Sequence, residues 1–72
     1  MEEDVGIEII LNGTKYRVAP GTTVEQLLVQ LEIPERGTAV EVGGEIVAPK
    51  KLREMVLLQG QKVEIVRLVG GG

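Results

Sequence analysis

At 72 residues the chain has room for one domain, and its net charge of −3 argues against a nucleic-acid binder, whose affinity rests on a basic face. Its composition is 43% hydrophobic with one aromatic, Tyr16, so the core is aliphatic. The absence of Cys and His excludes disulfides, thiolate metal sites, the best nucleophile at neutral pH and the commonest general base.

Residues 1–4, Met-Glu-Glu-Asp, are polar and acidic, the composition of a disordered N-terminus. The domain proper is expected over 5–69. Its first strand is expected over 5–11, with Ile7, Ile9 and Leu11 on one face and Glu8 and Ile10 on the other. Asn12-Gly13 follows, a dipeptide suited to the two positive-φ positions of a type I′ hairpin turn. The second strand, 14–19, places Tyr16 and Val18 opposite Lys15 and Arg17, and the two strands form an antiparallel hairpin.

Pro20-Gly21 breaks the sheet. Thr22 with Glu25, or Thr23 with Gln26, supplies a capping box. Val24, Leu27, Leu28 and Leu31 make one apolar stripe at helical spacing, while Glu25, Gln26 and Gln30 face water. A helix of about ten residues is too short to stand alone and must pack on the sheet. Pro34 is expected to end it, because the residue before proline avoids helical angles.

A third strand over 38–42 turns Val40 and Val42 inward, and Gly43-Gly44 makes a second hairpin turn into a short strand over 45–47. No strand–glycine–helix context surrounds that pair, so a phosphate loop is not indicated. Residues 48–54 are irregular, with one helical turn after Pro49. Their Lys50, Lys51 and Arg53 read either as a solvated face or as a contact for an acidic partner. Met55 to Leu58 returns an apolar cap to the core, and Gly60 takes positive φ in the next turn.

The last strand starts at Lys62 and runs to Leu68 or Val69. Val63 and Ile65 face one side, Val66 and Leu68 the other, so the strand is apolar on both faces and central in the sheet. The economical arrangement sets it parallel to the first strand. The result is an α+β, β-grasp domain: a mixed five-stranded sheet with one main helix on one face.

Gly70-Gly71-Gly72 follow that strand with no polar spacer. Glycine lacks Cβ, so such an end enters a slot too narrow for side chains. Residues 69–72 span roughly 13 Å when extended. The reading is a flexible reactive tail whose useful group is the Gly72 carboxylate, activated by another protein. A frayed end without any role is the plain alternative. Ile10, Val66, Leu68 and Val69, away from the helix and near the tail, form the expected partner-binding surface. With no clustered acids, no catalytic residue and no metal site are assigned, and the protein reads as a substrate or binding module, not an enzyme. No apolar segment has the length of a signal peptide or membrane span, so the cytoplasm is the expected compartment, with no membrane and no nucleic-acid partner.

Four segments carry a family resemblance: Asn12-Gly13; Gly21-Thr22-Thr23-Val24-Glu25-Gln26-Leu27-Leu28; Ala39-Val40-Glu41-Val42-Gly43-Gly44-Glu45-Ile46-Val47; and Gln59-Gly60-Gln61-Lys62-Val63-Glu64-Ile65-Val66 leading to the terminal glycines. On these the chain resembles the ubiquitin-like sulfur carriers of the ThiS family, over nearly everything after Asp4. Gly43 and Gln61 depart from the family's tendency to Asn and Asp there, both at turns.

The resemblance implies that an E1-like adenylyltransferase of the ThiF type uses ATP and Mg to adenylate Gly72, with no cofactor bound to the carrier itself. A sulfur-donating persulfide protein then gives a thiocarboxylate, and a thiazole synthase of the ThiG type takes the sulfur for thiamine. The carrier alone is expected to be a monomer. Sulfur carriage for molybdopterin, cysteine or tRNA thiolation, protein modification, and a β-grasp interaction module without C-terminal chemistry are the alternatives.

Overall fold

The computed structural model describes residues 6–68. The expectations for residues 1–4, Val5 and Val69 to Gly72 lie outside these.

Strand β1 (Ile7–Leu11) pairs antiparallel with β2 (Thr14–Val18), with Ile9 opposite Tyr16. Asn12 and Gly13 join them at φ 47° and 86°, both in the left-handed region that a type I′ turn requires. Strand β2 stops at Val18, one residue before the expected end. The Ala19 carbonyl is taken by the turn instead, accepting from the Thr22 N–H and hydroxyl.

Helix α1 (Val24–Gln30) is capped by Thr23. Its hydroxyl accepts from the Gln26 N–H at 3.1 Å, and the Gln26 side chain accepts from the Thr23 N–H at 3.0 Å. Thr22, the other candidate cap, is buried. The helix has seven residues, not about ten, and Pro34 does not end it. Leu31 is the C-cap. Glu32 then takes φ 58°, its N–H bonds the Val29 carbonyl, and the Ile33 N–H bonds the Leu28 carbonyl. This is a Schellman motif with glutamate in the usual glycine position. Leu31 and Ile33 still pack against the core beyond the helix end.

Strand β3 (Thr38–Val42) turns through Gly43 and Gly44, both at positive φ, into β4 (Glu45–Ile46). Val47 was expected to extend β4; it leaves the strand but still bonds the Val40 carbonyl. A 3-10 turn (Pro49–Lys51) follows, and Gly60 has φ 83° ahead of β5 (Lys62–Arg67).

The sheet order is β2-β1-β5-β3-β4. Strand β5 is central, parallel to β1 and antiparallel to β3. Asn12 adds to the parallel seam: its Oδ1 accepts from the Ile65 N–H at 2.8 Å, beyond the last β1 residue. The three inner strands turn Ile9, Val63 and Val40 onto Val24, Leu27 and Leu28 of α1, all fully or nearly fully buried. Burial of each such side chain contributes about 1.5–3 kcal/mol. This is the expected β-grasp, a five-stranded mixed sheet with its helix on one face.

Candidate functional site

The candidate site is the sheet face away from α1, together with the C-terminal end of β5. Alternation sends Val63 and Ile65 into the core and leaves Lys62, Glu64 and Val66 on the open face. The ladder registers fill in the rest. Ile10 lies opposite Lys62 on β5 and Lys15 on β2. Glu41 faces Glu64 on one side and Ile46 on the other, and Ala39 faces Val66.

The open face therefore changes character along β5. It is cationic around Ile10, acidic in the middle, and apolar where the strand ends. Directly opposed like charges such as Glu41 and Glu64 are unfavourable across a ladder. At the apolar end Val66 is 47% exposed and Leu68 is 60% exposed.

Of the sequence-derived surface residues, Val66 and Leu68 thus lie together at the end of β5. Ile10 is half-buried and stands level with Lys62, four residues earlier on β5 than Val66. At about 3.3 Å per residue that separation is roughly 13 Å. Val69 and the three glycines fall outside the described residues.

Two features of this site were not read from the sequence. Ile46, 70% exposed, adds an apolar side chain across from Glu41. Its place follows from strand alternation, which a two-residue strand scarcely reveals. The other is the anchoring of β5. The Arg67 Nη1 donates to Thr38 Oγ1 at 2.8 Å, to the Arg36 carbonyl at 3.0 Å and to the Pro34 carbonyl at 3.4 Å. The Leu68 N–H donates to the Gly37 carbonyl at 2.6 Å.

The Lys50, Lys51 and Arg53 side chains are exposed, with Arg53 3.9 Å from Glu25. A shallow groove of about 320 Å³ lies beside β4, lined by Val42, Ile46, Val47, Lys51 and Met55 among others. Among the described residues no cluster of acidic, His or Cys side chains could hold a metal, and no helix is long and apolar enough to cross a membrane.

The ThiS family model matches residues 9–72, from the middle of β1 through the final glycine. The chain belongs to the ThiS family. The crystal structure of the thiamine biosynthesis protein ThiS from Geobacter metallireducens superimposes with a TM-score of 0.79 at 26% identity, covering 92% of this chain and 100% of that one. The sulfur carrier protein ThiS of Escherichia coli is 26% identical over 66 residues, which is 92% of this ThiS-family chain and 100% of that protein. Two thiazole synthases are also similar over 66 residues: 35% identical in Paramagnetospirillum magneticum and 33% in Magnetococcus marinus. There the chain covers 92% of itself but only 20% of the relative. These synthases thus contain a ThiS-like portion within a much longer protein.

Proposed function

We propose that this chain is a sulfur carrier for thiazole formation in thiamine biosynthesis, acting as the protein co-substrate of an adenylating enzyme. The observation that carries the reading is that the family match runs from β1 to Gly72, so it takes in the glycines that continue from the central strand.

The chemistry starts from a carboxylate, a poor electrophile. An E1-like adenylyltransferase of the ThiF type, using ATP and Mg²⁺, lets a Gly72 carboxylate oxygen attack the α-phosphorus. Pyrophosphate leaves, and an acyl-adenylate remains. The terminal sulfur of a persulfide then attacks the carbonyl carbon and AMP leaves. Cleavage of the sulfur–sulfur bond by a thiol releases the Gly72 thiocarboxylate and a disulfide. A thiazole synthase of the ThiG type takes the sulfur. Similarity to a portion of two thiazole synthases supports that last partner.

In this scheme Gly70 and Gly71 carry no side chain to obstruct a narrow active-site channel. Ordering each residue costs about 1–2 kcal/mol, offset by main-chain hydrogen bonds to the partner. The apolar end of the open face, Val66 and Leu68 with Val69 after them, docks the partner, and Ile10 lies at the far margin of that footprint.

The test is mass spectrometry of the chain after incubation with a ThiF-type enzyme, ATP, Mg²⁺ and a persulfide donor. One sulfur in place of one oxygen, localised to Gly72, supports the reading. An unchanged mass under conditions that convert the Escherichia coli carrier overturns it.

A further inference from the structure

The loop 34–37 offers its carbonyls in an unusual concentration to the start of β3 and the end of β5. The Pro34 carbonyl accepts from the Thr38 hydroxyl and from Arg67, and the Glu35 carbonyl from the Thr38 N–H. The Arg36 carbonyl accepts from Arg67, and the Gly37 carbonyl from the Leu68 N–H. Four consecutive carbonyls are thus engaged by Thr38, Arg67 and Leu68. Thr38 and Arg67 are also register partners across β3 and β5.

Arg67 is exposed, and the contacts of an exposed arginine usually contribute little to stability. Here the guanidinium is tied to a loop and to a neighbouring strand at once. Gly37 makes the loop possible with φ 75°, a value that strains side chains. The consequence is local. Leu68 lies beyond the end of β5, yet its backbone is fixed by the Gly37 carbonyl. Residues 69–72 follow in sequence, so the direction of Leu68 sets where they start.

We propose that Arg67, with Thr38 and the carbonyls of loop 34–37, is a clamp that aims the C-terminal segment, and that Arg67 is a positioning residue for activation of Gly72. The inference rests on the proposed carrier function. Aiming matters because productive geometry at a reacting carboxylate tolerates little displacement. A clamp acts on turnover, whereas the apolar end of the sheet acts on docking, so the two separate in kinetics.

The experiment compares the native chain with Arg67→Met, Arg67→Lys and Thr38→Val. The first arm follows amide hydrogen exchange in the free protein. Arg67→Met is expected to speed exchange at Leu68 about tenfold while core amides of β5 stay protected. The second arm measures pyrophosphate release with the adenylating enzyme. Arg67→Met is expected to lower kcat about three- to tenfold with KM within twofold of native. Arg67→Lys, which keeps a charged donor, recovers more than half of that kcat, and Thr38→Val moves kcat in the same direction as Arg67→Met.

Unchanged Leu68 exchange in both Arg67→Met and Thr38→Val overturns the clamp. So does native kcat in Arg67→Met, or a loss confined to KM, which would make Arg67 a docking residue. If the native chain itself is not adenylated, the carrier function fails and activation of Gly72 with it, while the exchange arm still decides whether the clamp exists.

Discussion

Substitution of Val66 by aspartate tests the docking surface most directly. Val66 is 47% exposed and lies on the open face opposite Ala39, so the change creates no core cavity. Full burial of a valine contributes about 1.5–3 kcal/mol. Roughly half of that remains available to a partner, so truncation to alanine should cost about 1 kcal/mol, or about fivefold in KM. Aspartate adds a carboxylate that the partner must desolvate, an effective penalty of several kcal/mol. Val66→Asp should therefore raise the KM for the carrier by about a hundredfold or more. In the free domain the change forfeits the half of that burial already realised and up to about 1 kcal/mol of strand preference, about 2 kcal/mol together. The assay is pyrophosphate release by the adenylating enzyme against carrier concentration, with a thermal melt of each variant alongside. A folded Val66→Asp protein adenylated with a KM within twofold of native would refute the docking role of this face.

Three further changes probe other parts of the argument. Thr23→Ala removes the side-chain half of the capping box and should cost about 1 kcal/mol. That is a drop of about 4–8 °C in Tm, read by circular dichroism, with the adenylation KM unchanged well below the transition. Glu32→Gly relieves a left-handed residue at φ 58°, and after the entropy gained by the unfolded chain it should stabilise by up to about 1 kcal/mol. A lower Tm would show that the glutamate side chain contributes something its backbone position does not explain. A chain with one alanine appended after Gly72 should melt like the native protein and yield no acyl-adenylate in the pyrophosphate assay. Turnover at the native rate would show that the reacting carboxylate need not be that of Gly72.

Most of the architecture was legible because local chemistry and global pattern agree. Asn12-Gly13 and Gly43-Gly44 name their turns through the sign of φ. The alternation along β1 and β5 names their faces, and two-sided apolarity marks β5 as central. The misreading at the helix end has a physical cause. Pro34 is a visible stop signal, whereas the Schellman turn that ends α1 runs through Glu32, a residue with no intrinsic preference for positive φ. The two threonines before the helix were equally good caps in sequence, and burial of Thr22 decided between them.

The face was harder to read than the fold. That Ile10 and Val66 share a side follows from alternation. How far apart they lie depends on the β1–β5 register, which the intervening chain leaves open. The Arg67 contacts join residues about thirty positions apart in sequence, so no local pattern announces them.

The place of β5 in the sheet also bears on biosynthesis. The β1–β2 and β3–β4 pairs have no strand in common and meet only across β5. A nascent chain still lacking residues 62–67 therefore has two separate ribbons and a helix with no continuous surface to cover. Folding waits for that segment to leave the ribosome, since the seam joining the ribbons is the stretch made after both. A protease cut just before Lys62 would likewise undo the sheet from its middle outward. Assembly of the sheet thus depends on six residues that follow all its other strands in the chain.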